Sequence, residues 1–290
     1  MPGSCQLQPN PGRESQLMLC RYTTQRLIAA AVLIWSTATA APAQQSQVQV
    51  AYDAPTNAQL QGVYQRLKQR AVLEEMQTFL TPLHLPQPLT IKTAQCATVT
   101  LQRRPPGTAT VCYEMIAAIE KLVSQRTSDG ALAQSVIMGA FIQTALHETS
   151  RAIFEILDVP IWGRERDAAD RLAAFIMTQF GEDVSHTAII GTADLFMWSN
   201  KTWTGSDFSD TASPDYQRFF NYVCIAYAAA PLQFGDLVER GILPKRRAER
   251  CQGEYDQIRK AFNLRIMPYV NPDLLIKARA TPWLNWTPAK

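Results

Sequence analysis

The sequence predicts an α+β fold that is mostly helical and carries one small, three-stranded sheet. Three observations lead to this prediction. Apolar residues recur at helical spacing through most of the chain, short Thr- and Val-containing runs are confined to residues 89–112, and Gly and Pro residues separate the runs. The residues that follow a leader of 43 residues suffice for one large domain, so residues 44–290 are expected to form a single domain.

The leader, residues 1–43, has the features of an export signal. Arg21 and Arg26 form a basic flank, an apolar core follows at 27–35, and small residues at 38–43 offer cleavage sites. The core is too short to span a bilayer, and no later run reaches the roughly 20 apolar residues that a span needs. We therefore expect an exported protein, periplasmic or secreted, with no stable membrane span beyond the signal segment. An uncleaved anchor is the alternative.

The charge balance argues against two classes of partner. Arg13, Glu14, Arg21 and Arg26 lie in the leader, so the formal net charge of +3 falls to about +1 for residues 44–290. A chain so close to neutral gives no reason to expect binding to nucleic acid or to an anionic membrane.

Four cysteines remain after the leader, as is typical of exported proteins with disulfides. We predict that Cys96 pairs with Cys112 across a strand–turn–strand, and that Cys224 pairs with Cys251 to tie two neighbouring helices. A zinc site built from all four thiolates is the alternative, but the sequence has no C-x-x-C spacing that would favour it.

The first elements are predicted from residues 44–112. Residues 44–53 are polar and are expected to form a flexible leader to the domain, and 56–79 has the apolar spacing of one long amphipathic helix. Three strands with a hairpin turn at the Pro-Gly of 103–107 are expected to follow, at 89–94, 97–101 and 108–112.

The rest of the domain is predicted to be helical. The helix that starts at 132 ends before Pro160, because proline disfavours helix in the residue before it. An irregular tail is expected at 267–290. The predicted helices are 113–125, 132–158, 165–180, 184–197, 214–229, 232–240 and 244–262.

The helix at 132–158 carries the string L-H-E-T-S-R at 146–151, which differs by one residue from the zinc motif H-E-x-x-H. In that motif the two histidines lie on one helical face and bind one zinc ion, while the glutamate activates the metal-bound water. Arg151 stands at the position of the second histidine. A guanidinium is permanently charged and has no acceptor lone pair, so it cannot ligate a dication. We therefore expect a damaged or absent metal site.

The string at 146–170 and the flanking runs at 111–114, 217–224 and 251–255 resemble a bacterial family of putative metallopeptidases, long classified as a domain of unknown function. The resemblance covers about residues 96–255, the motif core. It implies a zincin-like fold with zinc as cofactor. It also implies two histidine ligands from the first helix, an acidic third ligand from the segment G-R-E-E-D-A-A-D, and a glutamate general base.

Carried over residue by residue, the resemblance places the first metal ligand at His147 and the catalytic general base at Glu148. The acidic metal positions, or acids next to them, are then Glu165, Asp167 and Asp170.

Three positions depart from the family pattern. Arg151 replaces the second histidine, Arg166 replaces the second glutamate of G-R-E-E-D, and Ala212 stands where a histidine is expected before Q-R-F. We interpret Arg151 and Arg166 as site-blocking residues. Zinc, the cofactor that the resemblance implies, is therefore expected not to be bound.

One interpretation of these substitutions is that a fixed cation replaces a bound one. If Arg151 projects toward Glu165, Asp167 or Asp170, its guanidinium can satisfy a carboxylate that zinc would otherwise neutralise. The alternatives are local. Asp167 and Asp170 pair with Arg164 and Arg171 or cap the first turn of the second helix, and Glu148 pairs with Arg151 on its own helix.

Three functional hypotheses follow. The first is an exported metallopeptidase-like protein, a pseudoenzyme impaired or inactive in zinc-dependent peptide hydrolysis, which binds a peptide or protein partner. The second is an active metallohydrolase that uses His147, Glu148 and a carboxylate such as Glu165 or Asp170 with non-standard metal ligation. The third is a structural envelope protein. In the first two, the aromatic-rich loop at 200–213 is a candidate lining of a peptide groove.

Overall fold

A small parallel sheet opens the domain in the computed structural model, which describes residues 47–96, 105–199 and 213–280. Its strands are β1 (Val48–Tyr52), β2 (Leu89–Ala94) and β3 (Thr108–Cys112), and they are arranged in that order. Both pairs are parallel, with Val50 opposite Ile91 and Ile91 opposite Ala109. The central strand is the most buried, since Leu89 and Ile91 are inaccessible to solvent.

The sheet corrects two predictions. Residues 44–53 were expected to be a flexible leader, but residues 48–52 form β1, because Val48 is buried and the strand bonds to β2. The Pro-Gly turn leads into β3, where Gly107 adopts a φ of 67°. The second correction concerns the strands of the sheet, because β3 runs parallel to β2 and the third strand is β1. The strand predicted at 97–101 lies outside the described residues.

The single helix predicted at 56–79 is wrong. The structure has a 3₁₀ turn (Ala58–Leu60), α1 (Gln61–Gln69) and α2 (Val72–Leu80) instead. Ala71 separates the two helices with a φ of 50°, which is uncommon for a residue with a side chain. Two hydrogen bonds hold the start of α2 in place: the Tyr52 hydroxyl accepts one from the Leu73 N–H and donates one to Glu74.

The predicted helical remainder is confirmed, apart from its tail and from 232–240, where two short helices separated by Gly235 replace the single helix expected. Residues 267–290 were expected to be irregular, but a 3₁₀ turn (Met267–Tyr269) and a final helix form there, while 281–290 lie outside the described residues. The helices are α3 (Tyr113–Arg126), α4 (Gly130–Ile156), α5 (Glu165–Met177), α6 (Glu182–Ser199), α7 (Asp215–Ala229), α8 (Pro231–Phe234), α9 (Asp236–Glu239), α10 (Lys245–Arg265) and α11 (Pro272–Ala280).

Helix α4 is the centre of the domain and packs against β3, α5 and α6. Asp129 caps its start by accepting hydrogen bonds from two backbone N–H groups of the first turn. Gly139 and Gly191 let α4 and α6 approach closely, since a Cβ on either residue would collide with the backbone of the other helix. At this contact Thr192 of α6 donates a hydrogen bond to the Gly139 carbonyl.

Both predicted disulfides are confirmed. Cys96–Cys112 joins the chain just after β2 to the end of β3, and Cys224–Cys251 ties α7 to α10. A disulfide that closes a loop of this size typically stabilises the folded protein by about 3 kcal/mol.

The described residues belong to one compact unit at residues 45–290. Within 47–96, 105–199 and 213–280, no helix combines the length and the hydropathy needed to cross a bilayer. The export signal at 1–43 lies outside the described residues, so its cleavage stays a prediction.

Candidate functional site

A buried cluster of polar side chains lies where α4, α5 and α7 meet. A hydrogen bond of 2.7 Å joins Nδ1 of His147 on α4 to Oδ1 of Asp170 on α5. Arg218 of α7 donates to both oxygens of Asp170, from Nε at 2.7 Å and from Nη2 at 3.1 Å. Gln143, one helical turn before His147, donates to the same carboxylate at 3.1 Å. We call these four residues the inner cluster.

Charge compensation keeps Asp170 ionised in this environment. Burial by itself raises the pKa of Asp170, but the charge of Arg218 and the hydrogen bond from His147 outweigh it, so the pKa lies well below its ordinary value. Burial likewise lowers the pKa of Arg218, and the charge of Asp170 raises it by more. Arg218 also lies over the ring of Phe196, 4.2 Å from its centroid.

A second group of charges lies on the outer side of the same helix pair. The Arg151 guanidinium donates from Nε to Glu165 at 2.9 Å and from Nη1 to Glu148 at 3.3 Å. Burial lowers the pKa of Arg151, but the neighbouring charges of Glu148 and Glu165 raise it above its ordinary value. We call these three residues the outer cluster. The two clusters meet at the ring of His147, whose Nε2 lies 3.9 Å from Glu148.

The acids carried over from the family do not converge on one point. Glu165 is bound to Arg151, and Asp170 contacts the Nδ1 of His147. Asp167 accepts hydrogen bonds from the backbone N–H and the hydroxyl of Ser213, at 3.0 and 2.7 Å, and so anchors the chain at the entry to α7.

Zinc requires several ligand atoms about 2.0 to 2.2 Å from a common point. Among the described residues, no three or more His, Cys, Asp or Glu side chains are grouped to hold a metal ion. The Nε2 atom of His147 is available, but a guanidinium stands at the position of the second imidazole and occupies Glu165. The residues present therefore do not fit the zinc site that the resemblance implies.

A cavity of about 390 Å³ opens beside the two clusters. One side is apolar and comes from α3 and α6; the other is polar and comes from α4, α5 and α7. The polar side is lined by Gln143, Thr144, His147, Glu148, Arg166, Asp215 and Arg218.

Sequence reasoning missed two residues of the inner cluster. Gln143 could have been found, since it precedes His147 by four residues and so lies on the same helical face. Arg218 belongs to one of the family-like runs, but no sequence spacing shows that α7 brings it to Asp170. The proposed pairing of Asp170 with arginines adjacent in sequence is replaced by the pair with Arg218, 48 positions away. Arg151 makes the contacts predicted with Glu165 and with Glu148.

The other two histidines of the chain lie away from these clusters. His186 is exposed and stacks on Phe234, and His84 contacts the Pro82 carbonyl. Ala212 and the greater part of the loop at 200–213, the proposed groove lining, lie outside the described residues.

Comparison with known proteins identifies one family. The model of the DUF4344 family, described as "Putative metallopeptidase", matches residues 52–265, which is most of the chain. No curated protein and no solved structure matches the chain significantly.

Proposed function

Because the chain belongs to this family of putative metallopeptidases, we propose that it is an exported pseudoenzyme in which an internal guanidinium has replaced the catalytic zinc. It is impaired or inactive in zinc-dependent peptide hydrolysis and acts by binding a peptide or protein. The observation that carries this proposal is the position of Arg151, which bridges Glu148 and Glu165.

The bridge affects both residues that the family chemistry would use. Glu148 stands at the general-base position and Glu165 at an acidic metal position, and each binds the same guanidinium. A zinc ion entering here would have to displace Arg151 from two charge-assisted hydrogen bonds and would then be repelled by its charge. Arg151 thus neutralises the carboxylates without supplying a Lewis acid.

The inner cluster explains why the architecture persists. In metal sites the ligating histidine typically donates its second ring N–H to a carboxylate, which fixes the orientation of the ring. His147 and Asp170 have that relationship, with Nδ1 on Asp170 and Nε2 on the side of Glu148. The carboxylate that would orient the ligating histidine is therefore present, whereas Arg151 replaces the second histidine ligand.

Metal content tests this proposal. The purified protein is equilibrated with zinc, desalted, and analysed for zinc per chain, alongside Arg151→His. We expect far less than one zinc per wild-type chain. We expect near-stoichiometric zinc in Arg151→His, where two imidazoles at i and i+4 join Glu165. Arg171→His is the matched control, since Arg171 lies on the side of α5 that faces Glu254 of α10, and an imidazole there should not raise the zinc content.

The opposite result would support the active metallohydrolase. Wild-type protein that retains about one zinc per chain, and that loses peptide hydrolysis when a chelator removes it, would overturn the proposal.

Export is the second part of the proposal. The two disulfides support it, because such bonds persist mainly in oxidising compartments. Expression of the chain with and without residues 1–43, followed by cell fractionation, tests it. Retention of the full-length chain in the cytoplasm would refute export.

A further inference from the structure

Arg166 and Arg218 line the cavity, Arg151 lies beside it in the outer cluster, and one of these three arginines differs from the others. Arg151 is bound to Glu148 and Glu165, and Arg218 is bound to Asp170. Arg166 forms no hydrogen bond or ion pair with any other residue that the structure describes, and its Nε atom is buried without an acceptor. A buried donor left unsatisfied costs about 1 to 3 kcal/mol, so its presence in a folded protein calls for an explanation.

Among the described residues, no hydrogen bond or ion pair joins Arg166 to the two acids that line the cavity, Glu148 and Asp215. Glu148 is held by Arg151 at 3.3 Å. Asp215 is held by Arg218 at 3.4 Å and by the Ser199 hydroxyl at 2.9 Å. Arg166 is thus a cation on the cavity wall that forms no ion pair with a carboxylate in the described part of the chain.

His147 contributes a second polar group to the same cavity. Its side chain is 5% exposed, and its Nε2 atom is buried without a hydrogen-bond partner. The ionised Asp170 can only accept a hydrogen bond, so Nδ1 of His147 carries the hydrogen. In the neutral ring, Nε2 is then an acceptor that can receive a ligand N–H.

The opposite wall of the cavity is apolar. It is formed by Met115, Ile119 and Leu122 of α3 with Leu195 and Phe196 of α6. The cavity volume of about 390 Å³ lies within the range of small-molecule sites. One cation, one N–H acceptor and an apolar wall match a molecule that carries a carboxylate, an adjacent amide N–H and an apolar side chain.

We propose that this cavity binds an N-acylated apolar amino acid, either as a free molecule or as the C-terminal residue of a peptide. Arg166 anchors its carboxylate, His147 accepts its amide N–H, and α3 and α6 receive its side chain. This inference rests on the proposed function, because it names the ligand class of the same substituted site. It gives Arg166 a binding role in place of the blocking role expected from the sequence.

Calorimetric titration in the presence of a chelator tests the inference. The ligands are N-acetyl-leucine and its uncharged amide, N-acetyl-leucinamide. We expect the carboxylate to bind about tenfold or more tightly than the amide, since a guanidinium–carboxylate contact is charge-assisted. Arg166→Gln should remove this preference, Arg166→Lys should retain part of it, and Arg171→Gln, on the other side of α5, should leave it unchanged. Thermal melting of each variant shows that it is folded.

A second arm identifies the source of the ligand. If N-acetyl-Ala-Ala-Leu binds more tightly than N-acetyl-leucine, the site takes a peptide C terminus; if the two bind equally, it takes the free molecule. The inference is overturned if the carboxylate and the amide bind equally, if folded Arg166→Gln keeps the preference, or if neither ligand binds at millimolar concentration. Because a chelator is present, these outcomes are independent of the zinc measurement. The zinc measurement alone tests the proposed function.

Discussion

The inner and outer clusters share one helix pair but differ in burial. Asp170 of the inner cluster has a side chain that is 4% exposed, and it is held by His147, Arg218 and Gln143. Glu165 of the outer cluster is 48% exposed and is held by Arg151 at 2.9 Å. The inner cluster retains the family-like residues His147 and Asp170, whereas the outer cluster contains the substitution at 151.

The difference shows where a site of this kind can change without loss of the fold. Breaking a buried ion pair leaves a charge without a partner in a medium of low dielectric, whereas solvent screens an exposed pair. A substitution among the outer residues can therefore abolish metal ligation at little cost in stability. A substitution of Asp170 would destabilise the whole domain, because it breaks the buried pair with Arg218.

The largest effect is expected for Asp170→Ala. It leaves the Arg218 guanidinium buried without its carboxylate and removes the acceptor of His147, so the free energy of unfolding should fall by about 3 to 5 kcal/mol. Urea denaturation followed by circular dichroism measures it. Asp167→Ala is the matched control, since that carboxylate contacts Ser213 and not the inner cluster, and it should cost less. A loss below about 1 kcal/mol for Asp170→Ala would show that the inner cluster is not a structural element.

The second experiment follows stability into acid. The folded pKa of Asp170 lies below its unfolded value of about 3.9, so its contribution is present above that value and is lost as the pH falls toward the folded pKa. In that interval Asp170 should account for a slope of up to about 1.4 kcal/mol per pH unit in the wild type. Asp170→Asn should have a correspondingly shallower slope, measured by urea titrations between pH 2 and 5. Identical slopes for both proteins would contradict the assigned direction.

The smallest effect on stability is expected for Arg151→Ala. The side chain of Arg151 is 24% exposed and that of Glu165 is 48% exposed, so solvent screening limits the loss to about 1 kcal/mol or less. Arg151→His with added zinc should be more stable than Arg151→Ala, because zinc that binds only the folded state adds binding free energy. Thermal melting with and without zinc measures both. If Arg151→Ala were as destabilising as Asp170→Ala, the two clusters would not differ in the way that their burial indicates.

Particular elements show how far the sequence could be interpreted. The pair of helices α4 and α5 was predicted because their apolar periodicity is uninterrupted and Pro160 limits the first of them. The disulfide pairs were predicted because each joins elements that are near in sequence. The break at Ala71 was not, since the apolar spacing of 56–79 continues across it. Strand β1 was not, since its partner strand is distant in sequence: Val48 pairs with Leu89, 41 residues away.

The order of the amino acids was enough to predict the helical composition, the disulfides, the family and the guanidinium at the second-histidine position. These properties depend on local periodicity and on the chemistry of single residues. The packing of the helices was needed to show which carboxylate each cation contacts. It shows that Arg218, and not an arginine near in sequence, binds Asp170, and that Arg166 forms no ion pair with the described residues. Burial and long-range contacts set the environment of a charge, and neither can be inferred from residue spacing along one helix.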